Sequence, residues 1–535
     1  MRKSLVKTFI GDKTFYRTLL VILLPLVVQQ GFTSFVNMLD TLMVGSLGEE
    51  SLSAVGVVNQ ILMVFNPTLF GGLSGISIFG SQFAGKNDVD GMRQSFRAKI
   101  YFGAAVLVIG VALLACCGED FIGLFMAAEK EPLSQISLTP AALQTLNSEF
   151  GMQNSEFALW TAGALPEGLL ATVKNGGLEG YTTSLRTLAE TRVAFAMQEG
   201  HDYLIIMLFG FLPFILVQCY AGSMREMGKT VAIMVASVIA ILTNLVLNFL
   251  LIYGTREIFG ITIWGAGLGV RGAAIATVIS RFVEMFIVLI YAQLHQNRYV
   301  FLRGAFRNGY VPLSLLKRIA ITGTPLLLNE VLWSLGMTFI NQCYSTRGMT
   351  ALAALNITST AWNLFCIIMF AMGNAISIMV GQYLGRGDTE GARDVDTKLL
   401  FITVASHIVL GAGLAACSGF IPMLFDVSAR AQQLATRTLV IAGIALPIHA
   451  FLHGTYFTIR SGGKTFITFL FDSAYTWAVP AVLAFCLSRF TDMDVVSMYF
   501  CIQFIDTIKL VIGLMMLRSD FWAKNIVADQ DTKEA

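Results

Sequence analysis

The chain has 535 residues, 55% of them hydrophobic and only 13% charged, with a mean hydropathy of +0.70. That balance excludes a soluble globular protein and points to a polytopic membrane protein. The formal net charge of +2 gives no basis for a nucleic-acid or acidic macromolecular partner. The eight cysteines, all in or beside apolar runs, have neither disulfide-framework nor zinc spacing.

A helix needs about 20 apolar residues to cross roughly 30 Å of hydrocarbon. In chain order, such windows lie near 17–42, 52–80, 96–117, 203–223, 231–253 and 268–293, then near 317–344, 351–380, 398–419, 437–459, 466–488 and 496–517. The first follows basic residues as a signal peptide would. No small-residue cleavage site follows Leu24-Pro25, so it reads as an uncleaved span. The expectation is an all-α polytopic membrane protein with twelve transmembrane helices in two pseudo-symmetric six-helix lobes. Residues 1–127 hold spans one to three and 196–294 spans four to six. A connector at 295–318 leads to spans seven to twelve in 319–520 and a tail at 521–535. Between spans three and four, 128–195 is an insertion with helix signals at Thr139-Pro140 and Pro166-Glu167, and its Glu outnumber its Lys and Arg. It reads as an external helical cap. Lys and Arg concentrate in the N-terminal tail, the 86–99 loop and the connector. The positive-inside rule therefore places both termini and the connector in the cytoplasm of a multi-pass inner or plasma membrane protein, expected to be a monomer.

The division into lobes rests on an internal repeat. At a fixed offset of 300 residues, Pro25 matches Pro325, Gly48 matches Gly348, Gln82 matches Gln382, Gly85 matches Gly385 and Arg93 matches Arg393. The loops GSQFAGKNDVDGMR (80–93) and VGQYLGRGDTEGAR (380–393) are the clearest copy. Beyond the insertion the register resumes at a new offset, with Leu212-Pro213 facing Leu446-Pro447 and Gly-Lys-Thr at 228–230 facing 463–465. Paired repeats of this kind are a common plan for secondary transporters, with the binding cavity between or within them.

Acids inside spans are the candidate sites, because a carboxylate near the bilayer centre costs about 2.5–3.5 kcal/mol on insertion scales. Asp40 is the only carboxylate within the first three predicted spans, and its repeat partner is Ile340. Glu330 stands five residues after Pro325, where the first half has Gln30. Shared prolines and glycines with unshared acids separate scaffold from lobe-specific chemistry. Arg281 with Glu284, and Asp506 with Lys509, are spaced i, i+3, so each pair is expected to neutralise itself on one helix face. Asp472 is expected near the cytoplasmic interface. His449 and His453, at i and i+4, share a face, yet no third His or Cys is near. They read as polar packing or cavity-lining groups, not a metal site.

The segments FVNMLDTLMVGSLG (35–48) after Pro25, GSQFAGKND, TNLVLNFLLIYG (243–254), VRGAAIATVISRFVE (270–284) and VGQYLGRGD resemble the multidrug and toxic compound extrusion (MATE) family over nearly the whole chain apart from the insertion. The resemblance implies two six-helix lobes, alternating access, and export of organic cations or drugs in exchange for protons or sodium, without any other cofactor. In archaeal and DinF-like relatives, a span-one aspartate, two polar or acidic span-five residues and a span-six threonine hold the coupling ion. By motif these are Asp40, Asn244, Asn248 and Thr277. The family position of Asn248 is often an aspartate, so one negative charge is missing here.

Abundant Phe and Met suit a cavity for varied apolar cations. No nucleophile-base set, haem signature or Walker loop marks an enzyme, since Gly-Lys-Thr at 228–230 lacks the upstream glycine of a P-loop. The competing readings are a lipid-linked saccharide flippase of the same superfamily, which would want a strongly cationic cavity, and a membrane scaffold whose insertion docks a partner. Pro25, lacking a backbone donor, is the expected bending point of span one.

Overall fold

A computed structural model describes residues 9–47, 49–134, 194–258, 261–425 and 427–528. The expected external cap at 128–195 lies outside the described residues except at its two ends. The described residues make twelve helical passes: α1 (Lys13–Gly45), α2 (Glu49–Lys86), α3 (Val89–Ser134), α4 (Ala194–Phe209 continuing as Phe211–Glu226), α5 (Val231–Leu251), α6 (Gly269–Leu294), α7 (Leu313–Ser345), α8 (Met349–Phe365 continuing as Ile367–Gly385), α9 (Thr389–Ala416), α10 (Ala429–Ser461), α11 (Thr465–Phe490) and α12 (Val495–Arg518). In hydrocarbon only a helix or closed barrel satisfies its own backbone, which is why each apolar run takes this form. Nine of the helices are long and apolar enough to cross a membrane, and the bent α4 makes ten. The other two, α2 and α7, are the helices along which the lobes touch.

The helices outrun the apolar windows at several ends, so some residues expected in loops are inside. Lys99, counted with the 86–99 loop, lies within α3 and is fully buried. The loop itself is a tight turn closed by Asn87, whose φ of 60° is left-handed; Gly387 holds the matching left-handed place in the other lobe. The side Cβ of a non-glycine residue is tolerated there chiefly in Asn and Asp.

One face of the bundle carries the connector, with the ends of α2, α4, α6, α8, α10 and α12. At this connector face the lobes exchange parts. Phe15, Leu19, Ile22 and Leu26 of α1 are buried among α8, α9 and α10, whereas Leu315 and Ile319 of α7 are buried among α2, α3, α4, α5 and α6 with Tyr299 and Phe301 of the connector. Glycines let the helices meet closely: a Cβ on Gly75 would fall 2.5 Å from Gly323 Cα, one on Gly85 2.0 Å from the Gln382 carbonyl, and one on Gly385 1.9 Å from the Gln82 carbonyl. The amides of these glutamines cross over. Gln82 Nε2 donates to the Ser461 carbonyl at the end of α10 (3.0 Å), and Gln382 Nε2 to the Glu226 carbonyl at the end of α4 (2.7 Å). Glu226 and Ser461 are themselves repeat partners, so the repeat seen in the sequence is realised as a reciprocal lock.

A feature without sequence forewarning is the hairpin of β1 (Gly254–Ile258) and β2 (Ile261–Ala266), antiparallel, between α5 and α6 at the opposite face. Arg256 stacks over Phe249 (4.2 Å) and Tyr253 (4.0 Å). The backbone nitrogens of Leu268 and Gly269 donate to the carbonyls of Leu251 and Ile252, and a Cβ on Gly272 would lie 2.5 Å from the Leu251 carbonyl, so α5 and α6 are tied end to end.

Pro25 lies inside the continuous helix α1. Its missing N–H frees the Val21 carbonyl, and Thr230 Oγ1, from the start of α5, donates to that oxygen at 3.0 Å. Thr230 is 2% exposed, so no solvent would replace it. Thr230→Val should destabilise the protein by about 1–3 kcal/mol, the cost of an unsatisfied buried carbonyl. The loss should shrink in a Pro25→Ala background, where α1 supplies its own donor; thermal unfolding of the four proteins in detergent checks this. Equal loss in both backgrounds would count against the link.

Candidate functional site

In the N-lobe, α1, α5 and α6 bring together all four residues expected there. Asn248 Nδ2 donates to Asp40 Oδ1 at 2.5 Å. The hydrogen-bond network assigns Asn244 the amide orientation in which its nitrogen faces both Asp40 oxygens (3.1 and 3.2 Å) and its oxygen accepts from Thr277 Oγ1 (3.3 Å). Asn244 and Asn248, one turn apart, are both buried, while Asp40 is half-buried. Among the described residues, the hydrogen-bond partners of Asp40 are thus neutral amides. Asn248 Oδ1, also buried, has no hydrogen-bond partner among the described residues. A cluster with a carboxylate, a free amide oxygen and a hydroxyl offers hard oxygen donors of the kind that sodium prefers, or a single site for a proton.

The expected pairing on α6 is not what forms. Glu284 Oε1 accepts from Ser237 Oγ (2.5 Å), whose oxygen accepts from Gln29 Nε2 (2.8 Å), while Arg281 turns to the α4 bend, its Nη1 3.5 Å from the Gly210 carbonyl and its guanidinium over Phe214. The break in α4 after Phe209 offers a carbonyl there, and that draws the arginine off its own helix.

Asp506 and Lys509 likewise do not pair on α12. Lys509 Nζ reaches across to Asp472 Oδ1 of α11 (2.8 Å), and Asp506 Oδ2 lies 3.8 Å from His449 Nδ1 of α10. Asp472, expected at the interface, is drawn inside: it sits in a π-turn at Leu470–Ala474 and accepts from Asn329 Nδ2 of α7 (3.0 Å). Spacing of i, i+3 makes a pair possible, but a neighbouring helix with a longer-reaching partner wins. His449 Nε2 is 2.7 Å from Gln503 Oε1, and His453 packs between Phe370 and Phe457. Among the described residues no cluster of His, Cys, Asp and Glu could hold a metal.

Glu330 faces the lobe boundary. Tyr456 Oη donates to its Oε1 at 3.0 Å, Arg460 supplies the positive charge acting on it, and a Cβ on Gly71 of α2 would lie 3.1 Å from its Cγ. Arg460 is itself 3% exposed, over the Phe457 ring at 4.5 Å and within 5.7 Å of Phe70 from the other lobe.

Sequence reasoning passed over four buried charges, Arg460 among them. Lys99 pairs with Glu226 and donates to Ser223 Oγ (3.0 Å), beside Gly80, whose missing side chain leaves room for the carboxylate. Asp396 of α9 accepts from Thr458 Oγ1 and is 3% exposed. Its signal in the sequence was the repeat: Asp396 stands where the first half has Phe96.

Helical fold, paired lobes and an acid-and-amide cluster within one lobe describe a multi-pass membrane protein of the transporter type. The MatE family profile matches residues 25–146, 185–250 and 325–486. The chain belongs to the MatE family of membrane transporters. Among curated relatives, it is 24% identical over 341 residues to a multidrug resistance protein, NorM, of Thermotoga maritima, covering 62% of this chain and 69% of that one. It is 22% identical over 293 residues to a multidrug resistance protein, YoeA, of Bacillus subtilis, covering 55% and 62%. The matches thus span between 42% and 69% of such relatives' length. A solved structure of a Vibrio cholerae MATE transporter superposes over 97% of this chain and 99% of its own with a TM-score of 0.68 at 17% identity. A MOP superfamily transporter from Pyrococcus furiosus, described as having a binding pocket of reversed polarity, gives 0.68 at 17% over 97% and 98%. These likenesses are of fold.

The buried Lys509–Asp472 pair yields a stability prediction. Removing one charge, by Lys509→Met or Asp472→Asn, should cost about 3–5 kcal/mol, because the partner is left buried and uncompensated. The double substitution should recover most of that. Unfolding midpoints of the single and double variants measure the coupling; additive losses would contradict it.

Proposed function

We propose that this chain is a secondary antiporter that exports organic cations, drugs among them, in exchange for a proton or sodium ion, by alternating access between its lobes. The observation that carries this reading is the asymmetry of buried charge. Glu330, Asp472, Asp506, Glu226 and Glu284 each have a basic group beside or acting on them, whereas among the described residues Asp40 is held by amides. Asp396 also lacks a basic partner in contact, but it is sealed against Thr458, while Asp40 is half-buried. A carboxylate without a built-in counter-charge is the group that a small cation stabilises most.

The naming of curated relatives as multidrug resistance proteins supports the substrate class. Glu330, on the boundary between lobes, is assigned to the C-lobe part of the substrate or ion route. Ion binding shifts the conformational equilibrium only through unequal affinity for its two states. The α1 helix supplies that inequality, since it carries Asp40 at one end and crosses into the C-lobe packing at the other, with Pro25 between.

In proteoliposomes, Asp40→Asn should reduce ion-driven accumulation of a cationic dye to a concentration ratio of about one, because coupling alone sustains a gradient. Dye binding to the purified variant should persist. Imposing a pH gradient or a sodium gradient in turn identifies the ion. Wild-type accumulation by the variant would remove Asp40 from the coupling role and turn attention to Glu330.

The connector face is assigned to the cytoplasm on the placement of Lys and Arg. A single cysteine replacing Ser314 should be labelled by an impermeant maleimide only in inverted vesicles, and one replacing Ser148 only in intact cells. The reverse pattern would invert the topology.

A further inference from the structure

The segment after α12 does not trail away from the bundle. It turns at a short 3-10 helix, Asp520–Trp522, and runs to residue 528 across the connector face. Trp522 is 1% exposed and belongs to the buried cluster of the C-lobe with the foot of α1; Val527, five residues on, is fully buried in the cluster of the N-lobe with Phe79, Met224 and Phe301. The stretch between them is held by both lobes at once. Gln82 of α2 donates to the Lys524 carbonyl (3.2 Å) and accepts from the Ile526 nitrogen (2.8 Å) with the same side chain that reaches Ser461. Asn525 Nδ2 donates to the Gly385 carbonyl at 3.3 Å, and Arg318 donates to the Ile526 carbonyl. The bed is shaped for it: a Cβ on Gly462 would lie 1.6 Å from the Trp522 carbonyl, and one on Gly463 2.9 Å from Ile526 Cγ2. In the first half, Met227 stands in the place of Gly462, so only one lobe has this bed.

We propose that residues 520–528 form a strap that holds the lobes together at the connector face, and that each transport cycle requires its tip, Ile526 and Val527, to leave the N-lobe. The tip is the end that releases. Trp522 is tied to its own helix, its Nε1 donating to the Leu517 carbonyl at 3.2 Å, and so travels with the C-lobe. Separation at this face cannot proceed while Val527 remains in one lobe and Trp522 in the other. The connector differs in kind, because Arg97 clamps its carbonyls at Gly304, Ala305 and Tyr310 to the N-lobe.

The inference rests on the alternating-access reading, and its test separates the two. Spin labels at cysteines replacing Asp90 and Glu390, exposed repeat partners on opposite lobes, report separation at the connector face in nanodiscs without any transport. Val527→Asp should raise the population of the wider distance about tenfold. An unchanged distribution in folded Val527→Asp protein would overturn the strap. The milder Val527→Cys serves if the aspartate variant does not fold: its maleimide labelling, slow at rest, should quicken about tenfold when a cationic dye and an ion gradient drive turnover. Turnover without faster labelling would also overturn it. Absence of dye transport with a shifted distance distribution would count against the functional reading and leave the strap in place.

Discussion

Two apolar bodies that meet in a membrane face one overriding constraint: where they touch, backbone polar groups at helix ends need partners so that none is left stranded in hydrocarbon. Here the constraint is met by crossing over. Each lobe lends a glutamine to the last carbonyls of the other, each glutamine's helix passes a bare glycine on the opposite side, and the feet of α1 and α7 are packed in the lobe to which they do not belong. Because the two halves of the lock are copies, each closes only when the other does. The buried Lys99–Glu226 pair and the Thr230 bond to α1 stand directly behind this seal and depend on its geometry.

Away from the seal the lobes diverge electrostatically. The C-lobe pairs Asp472 with Lys509 and sets Asp506 beside His449 across helices, with Asp396 on a hydroxyl; such pairs add little net stability but are costly to break, which favours a rigid body. In the N-lobe, Glu284 has Ser237 in contact with Arg225 and Arg281 acting on it, whereas Asp40 lies among amides. That division follows from side chains at positions where the repeat is imperfect: Asp40 against Ile340, Glu330 against Gln30, Asp396 against Phe96.

The fold was legible in the chain to an unusual depth because two independent signals agreed. Apolar windows marked helices, and the 300-residue register told which helices were equivalent; Gln82, Gln382, Gly85 and Gly385, which form the lock, are all members of that register. Asp40 was legible as the only carboxylate of the first three predicted spans, but its grouping with Asn244, Asn248 and Thr277 only through family resemblance, since spacing alone does not bring α1 to α5 and α6. What escaped was decided between helices. Arg281, Lys509 and Asp506 each had a possible partner one turn away and took another across a helix boundary, a choice set by packing angles that no local pattern encodes. Lys99 was hidden because a lysine near a span end is ordinarily read as solvated, and the hairpin because its residues, between the apolar windows 231–253 and 268–293, read as an ordinary connection.

The end-to-end tie between α5 and α6 has a consequence for selectivity. With the hairpin and the Leu268 and Gly269 bonds joining them, the helices that carry Asn244, Asn248 and Thr277 form one tied jaw, and α1 with Asp40 faces it as a separate one. Under the proposed coupling role, a grip with one tied side has a fixed gauge. Its discrimination among ions would then be set by how far α1 can close before its own foot, packed in the opposite lobe, takes up the slack, which would make ion choice a property of the distance between lobes as much as of the ligands themselves.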